Sequence, residues 1–429
     1  MSEQLRDEMR RARRASGMVW ARFASEAGFG EAYLRNVENG NRSVTVDVAA
    51  AYDRVLRTEG TFTDALHDTG LLGPAGVPWN QPETLSVLTH LLKGSNVDRR
   101  GLLSAGIALS VSASSWSKAV APGGSDSAAA ATTSGPALVA HVDDRLDHLR
   151  RLDDKIGSGD VLQLARSELS LIVRLIKSGR NDSATTRHLH TMASEAARQV
   201  AWAAFDQGCP GLAQRFFDGA LRASAEAGDP ISGAYALSFA AIQCYSTPGQ
   251  GNRSVSLLET ATEQVRRAGT PRMHAMLAAR TARALSKVGD KRGCARQLHL
   301  ALTALDKGRH DDDPRTLYWV SRGEIEMIAG SSALQLNDPR QALQHFEAAR
   351  EEYPGDFEYP RTHAIYLARA AEAHLAMHDL DAAIATARHA ATCLGSVDSA
   401  RSSSELKGLR GQLSPHVAHP AVREFLEVG

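Results

Sequence analysis

Aromatic residues make up only 5% of this 429-residue chain, although 43% of it is hydrophobic, so apolar surface must be buried mainly through alanine and aliphatic side chains, the composition of closely packed helices. Cysteine is scarce too. Cys209, Cys244, Cys294 and Cys393 lie far apart with no CxxC pair, which argues against a disulfide framework or a thiolate metal site and leaves reduced, small core residues. There is no excess of charge, with 49 Lys and Arg against 49 Asp and Glu, so attraction to nucleic acid would have to come from a local face. No apolar run approaches the ~20 residues that span a bilayer, and the first residues are charged, from which we expect a cytoplasmic protein with no membrane partner. Walker loops, GxGxxG, HExxH and GxSxG are all missing, so an enzyme or a cofactor has no chemical foothold here.

Three weaker signals have plainer readings. His374 and His378 are one helical turn apart but suggest no third metal ligand. His310-Asp311-Asp312-Asp313 lacks the glycine and distal glutamate of a calcium loop, and reads as a charged connector. Asp98-Arg99-Arg100-Gly101 and the small apolar run after it imitate an export signal, yet stand behind a complete folded unit, so an ordinary helix is expected.

What is present begins at residues 5–42. Leu5, Met9 and Ala12 form the buried stripe of a first helix, with Arg10, Arg11, Arg13 and Arg14 crowding its remaining surface as a face that could meet phosphate. Gly17 ends that helix. A second, short helix turns Phe23, Ala24 and Ala27 inward, and Gly28 supplies a tight turn. A third begins near Gly30, buries Leu34 and Val37, and stops at Asn39-Gly40, leaving Glu31, Ala32, Arg35, Asn36 and Asn39 outward. Val48, Ala51, Tyr52, Val55 and Leu56 mark a fourth.

The order of these helices and the GFxxxYLxxVExG pattern of residues 28–40 resemble the Cro/CI-type helix-turn-helix family over roughly residues 5–60. That resemblance implies a dimer on double-stranded DNA, its third helix in the major groove with Gly30, Glu31, Ala32 and Arg35 toward the bases. Arg10, Arg14, Trp20, Asn36, Asn39 and Arg42 complete the implied DNA-binding set. Val19-Trp20 replaces the family's common Ser-Gln pair, and Glu31 stands where a polar or basic residue is usual, although a carboxylate can still accept from cytosine.

Turn chemistry fills 70–81, a helix carries Leu85, Leu88, Leu91 and Leu92, a second is expected over about 99–115, and a Ser/Ala/Gly tract at 117–136 reads as a mobile linker. The expected organisation is therefore 1–69, a connector over 70–136, and a helical domain over 137–429.

That last domain repeats itself. Turn residues Gly208, Gly249, Gly289, Asn337 and His378 are each followed by a small residue five on, usually a bulky one after four more, and an alanine after three more, as in Ala342, Phe346 and Ala349. Small side chains where helix axes approach, and a knob to fill the groove, are what stacked antiparallel helix pairs need. Asp229-Pro230, Thr270-Pro271, Asp313-Pro314 and Tyr359-Pro360 are expected helix starts.

Together with a small first-helix residue (Ala201, Ala282, Gly330, Ala371) and Pro354, these positions resemble the tetratricopeptide repeat, in five copies over 190–395. The fold class expected is all-α: a small helix-turn-helix bundle followed by a right-handed tetratricopeptide-like α-solenoid. The family register would line a concave wall with Glu195, Arg198, Trp202, Gln243, Arg283, Lys287, Glu324, Gln335 and Glu372, suited to a signalling peptide, a small molecule or a protein. Such an organisation resembles that of bacterial peptide-responsive regulators. The alternative is a repeat adaptor carrying a vestigial helix-turn-helix.

Overall fold

A computed structural model describes residues 2–40, 42, 44, 46–56, 58, 62, 78–93, 112–120, 135–352, 359–395 and 397–427. The helix expected over 99–115, up to residue 111, and most of the 117–136 tract lie outside those residues, as does Pro354. The described chain is helical, without a named strand, and it divides into two compact units: Met1–Pro78 with Arg100–Ser112, and Trp79–Arg99 with Ala113–Gly429.

The first unit contains α1 (Ser2–Ala15), α2 (Trp20–Ala27), α3 (Glu31–Glu38) and α4 (Val46–Leu56). Leu5, Met9, Phe23, Ala24, Ala27, Leu34, Val37, Val48, Ala51 and Tyr52 form one core, as their spacing predicts. Gly28 caps α2 at φ 76°, a left-handed conformation that a side chain would strain, and so permits the immediate reversal into α3. Gly40, at φ 81°, does the same after α3.

The second unit opens with α5 (Gln81–Lys93) and helical residues 113–119, followed by α6 (Gly135–Ile156), α7 (Ser158–Lys177) and α8 (Ser183–Asp206). Next come α9 (Pro210–Ala227), α10 (Pro230–Ser246), α11 (Gly251–Gln264), α12 (Pro271–Lys287) and α13 (Lys291–Leu305). The last six are α14 (Arg322–Gln335), α15 (Pro339–Glu352), α16 (Pro360–Ala376), α17 (Leu380–Leu394), α18 (Ala400–Leu413) and α19 (Pro420–Glu427). Helices pack in adjacent pairs, α8 with α9 through α16 with α17, and each pair's first helix also meets the first helix of the next.

The repeat positions explain this stacking. Gly208, Gly249, Gly289, Asn337 and His378 all adopt positive φ, the reversal between the helices of one pair. Of the fifteen small, bulky and alanine positions that follow them, all but Leu298 are buried. A Cβ on Gly330 would stand 2.6 Å from the Phe346 ring, so the small residue and the knob occupy one contact. Asp229 and Thr270 cap their proline-started helices through Ile231, Ser232 and Met273 amides. Tyr359 precedes α16 without a side-chain cap, and Asp313-Pro314 leads only into a 3-10 turn, Arg315–Leu317; the α-helix begins later, capped by Ser321.

Within the 70–136 stretch, α5 and helical residues 113–119 pack into the second unit. Leu88 and Leu91 seat against Gly219, and Trp116 is fully buried over Gly233, its indole N–H donating to Ser224 Oγ at 3.1 Å.

Candidate functional sites

In the first unit, α1 does not present the continuous basic face that its sequence suggests. Arg13 is buried and pairs with Glu38 through two hydrogen bonds, 2.7 and 2.9 Å, while the Tyr52 hydroxyl donates to the same carboxylate at 2.9 Å. Burial and the Glu38 charge push the Tyr52 phenol well above its ordinary value, so it serves as a neutral donor. Arg10 donates to the Glu38 carbonyl and to Asp7. Arg11 and Arg14 remain exposed. An amphipathic stripe ignores a residue such as Glu38 that is charged and yet buried; its place four positions after Leu34, on the inner side of α3, was the only signal.

Around α3, Gly30, Ala32, Arg35, Asn39 and Arg42 are exposed, and Trp20, Glu31 and Asn36 are half-buried. Arg35 forms an ion pair with Glu31 at 2.7 Å within its own helix. Trp20 receives two guanidinium groups, Arg13 3.7 Å and Arg35 4.9 Å from its ring centre, which tie the start of α2 to α1 and α3. Arg42 lies over Tyr33. Residues 1–69 hold ten arginines, no lysine and eleven carboxylates, a formal charge of −1. The net charge of these residues therefore offers no attraction to phosphate, and Arg14, Arg35 and Arg42 are the exposed cations of the implied DNA-binding set.

In the second unit the array returns on itself. Ser158 N–H donates to the Asp398 carbonyl and Asp398 N–H to that of Ile156, a parallel bridge between the start of α7 and the turn before α18. Beneath it Arg361 bonds Asp153 at 2.7 Å and Ser158 at 3.1 Å and lies 3.7 Å from Asp206, which Arg401 also pairs at 3.3 Å. The turn residues stand 41, 40, 48 and 41 apart, and the long step includes a crossing segment, 306–321. From it Tyr318 donates to Asp154, Trp319 donates to the Tyr235 hydroxyl at 3.1 Å, and Arg315 pairs with Asp144 at 2.8 Å.

This closure decides what happens to the expected ligand wall. Arg198 is buried, doubly bonded to Glu195, which also takes Arg150 at 2.9 Å. Burial opposes the Glu195 charge, but Arg198 and Arg150 outweigh it and hold the carboxyl down at about 2. Trp202 is buried between the Arg361 and Arg401 guanidiniums and edge-on to Phe239, and Gln243 is buried with its amide on the Pro210 carbonyl. These three are interior packing. Glu324 is half-buried and accepts from Tyr366 at 2.8 Å, Glu372 is half-buried and accepts from Gln412 at 3.1 Å, Gln335 and Lys287 are exposed, and Arg283 is buried.

Among the described residues no group of His, Cys, Asp or Glu is placed to hold a metal, and His378 sits on its turn. No described helix is long and apolar enough to cross a membrane. No protein-family model matches the chain, and no curated protein matches it significantly.

Proposed function

We propose that the chain is a ligand-responsive DNA-binding transcriptional regulator acting as a dimer in the cytoplasm. In this reading α2 and α3 are a helix-turn-helix pair, and the second unit is a right-handed tetratricopeptide-like solenoid that senses a peptide, small molecule or protein. The observation that carries it is the left-handed turn at Gly28 between two eight-residue helices, which leaves Gly30, Ala32, Arg35 and Asn39 exposed along the helix that follows. Two such units must engage half-sites about one turn of DNA apart, so a ligand that alters the stacking of the repeats can move them in or out of register.

Selection of random duplexes by the full chain, with sequencing of the survivors, tests this reading. The expected result is a two-fold-symmetric site whose binding falls steeply with salt; no enrichment at low salt overturns it. Arg35→Ala should weaken binding to the selected site by roughly ten- to a hundredfold, the range for one base-reading side chain.

A second reading is favoured by the formal charge of −1 over 1–69 and by the use of Arg10 and Arg13 inside the fold. There the first unit only packs or dimerises, and the repeats are an adaptor for a protein. Glu31→Ser separates the two: freeing Arg35 tightens DNA binding or shifts the base preference in a regulator, and leaves an adaptor's partner affinity unchanged.

A further inference from the structure

Seven arginines are buried among the described residues: Arg13, Arg150, Arg198, Arg222, Arg280, Arg283 and Arg361. Five of them hold a carboxylate within 3.0 Å. Arg280 and Arg283 hold none. Only 7% and 5% exposed, they stand three residues apart on α12 and form no ion pair among the described residues, although the Glu405 charge lies close enough to act on Arg283. Arg280 lies over the rings of Phe239 and Trp319, 5.0 Å from each centre, and its Nε has no hydrogen-bond partner. Arg283 reaches only the Ser286 hydroxyl at 3.0 Å.

The surroundings add to the imbalance. Lys287 follows one turn later on the same stripe, and Arg369 comes from α16, anchored to Ser331 at 3.0 Å and to Glu405 at 3.2 Å. Burial, with Arg369 beside it, brings Arg283 down to about 10; Lys287, exposed at one side but crowded by the surrounding protein and with Arg283 beside it, is brought down to about 8. Glu405 is already committed to Arg369, and Glu372 is pushed up by burial and by Glu405. A buried cation without a counter-charge is expensive, and the ring faces of Phe239 and Trp319 offset only part of that for Arg280. A ligand bringing negative charge removes the remainder, and a tetrahedral oxyanion can accept from donors that approach from two helices.

We propose that Arg283 and Lys287 of α12, with Arg369 of α16, form an oxyanion site in the repeat unit, and that it takes the phosphate group of a small ligand. The site deepens the sensor reading given above.

Calorimetric titration of the full chain with inorganic phosphate, at fixed ionic strength in chloride, tests it, with acetate titrated in parallel. Phosphate should bind saturably and acetate far more weakly. Arg283→Gln should weaken phosphate binding roughly tenfold or more, the worth of one charge-assisted hydrogen bond. The same variant should melt at a higher temperature than the parent in phosphate-free buffer, because it removes an uncompensated buried charge. Arg198→Gln, which breaks a compensated pair, should melt lower and still bind phosphate. No saturable phosphate binding, equal affinity for acetate, or full affinity in Arg283→Gln would each overturn the proposal. Phosphate binding with no effect on duplex selection would instead sink the sensor reading and leave the site standing, so the two failures are distinguishable.

Discussion

His190 carries the clearest consequence at the scale of single residues. It is 2% exposed on α8 and neither ring nitrogen has a partner, so burial brings it down to about 4 from an ordinary 6.5. The folded state thus binds the proton less readily than the unfolded chain does. Stability is undiminished above pH ~6.5 and is lost as pH falls from there toward 4, by about 3 kcal/mol in total. Denaturant titrations at pH 7 and pH 4.5 should show that loss, and His190→Phe should flatten it; an unchanged acid limb in the variant would refute the assignment. His378 offers a stabilising change. Its φ of 62° is a conformation that costs a non-glycine residue roughly 1–2 kcal/mol, so His378→Gly should raise stability by about 1 kcal/mol in the same titration. The sequence marked both turn residues, Asn337 and His378, by their spacing from the alanines that follow. It gave no hint that Arg13 turns inward, since a charged residue counts as surface until its buried partner, Glu38, is known.

For elements, the governing quantity is how closely two helix axes approach. Gly330→Ala places a methyl against the Phe346 ring and should destabilise by about 1–3 kcal/mol. Adding Phe346→Leu to that variant should restore part of the loss; strict additivity in the double-mutant cycle would show that the two positions do not share a contact. Pairing of helices in the second unit was legible, because five copies of one small-bulky-alanine spacing align. Docking of α5 and of Trp116 was not. No spacing in the sequence marks Gly219 or Gly233, and only the fold shows that Leu88 and the Trp116 indole fill the space that their missing side chains leave.

Over the second unit as a whole, closure of the array controls the interior. Arg361 joins α16 to Asp153 on α6 and Asp206 on α8, and its removal leaves those carboxylates buried with too little positive charge. Arg361→Met should cost about 3–5 kcal/mol and should speed amide hydrogen exchange at Ser158 and Asp398, whose backbone bonds close the bridge. An unfolding midpoint equal to the parent's would mean that the closure contributes nothing. The same closure explains part of why the expected concave wall is mostly not open: Trp202 lies where the repeats meet Arg361 and Arg401 of the returning chain, while Arg283 and Lys287 form no ion pair among the described residues.

Helical class, the capped starts of α10 and α12, the five left-handed turns and the burial of the repeat positions follow from local spacing, because neighbours three and four apart on a helix share a face whatever the rest of the chain does. Which charges are neutralised follows from contacts between residues far apart in the chain, up to 208 in the pair Asp153–Arg361, and no period in the sequence encodes those. Tertiary packing alone therefore decided that Arg13, Arg198 and Arg361 hold the fold together, and that Arg280 and Arg283 form no ion pair among the described residues.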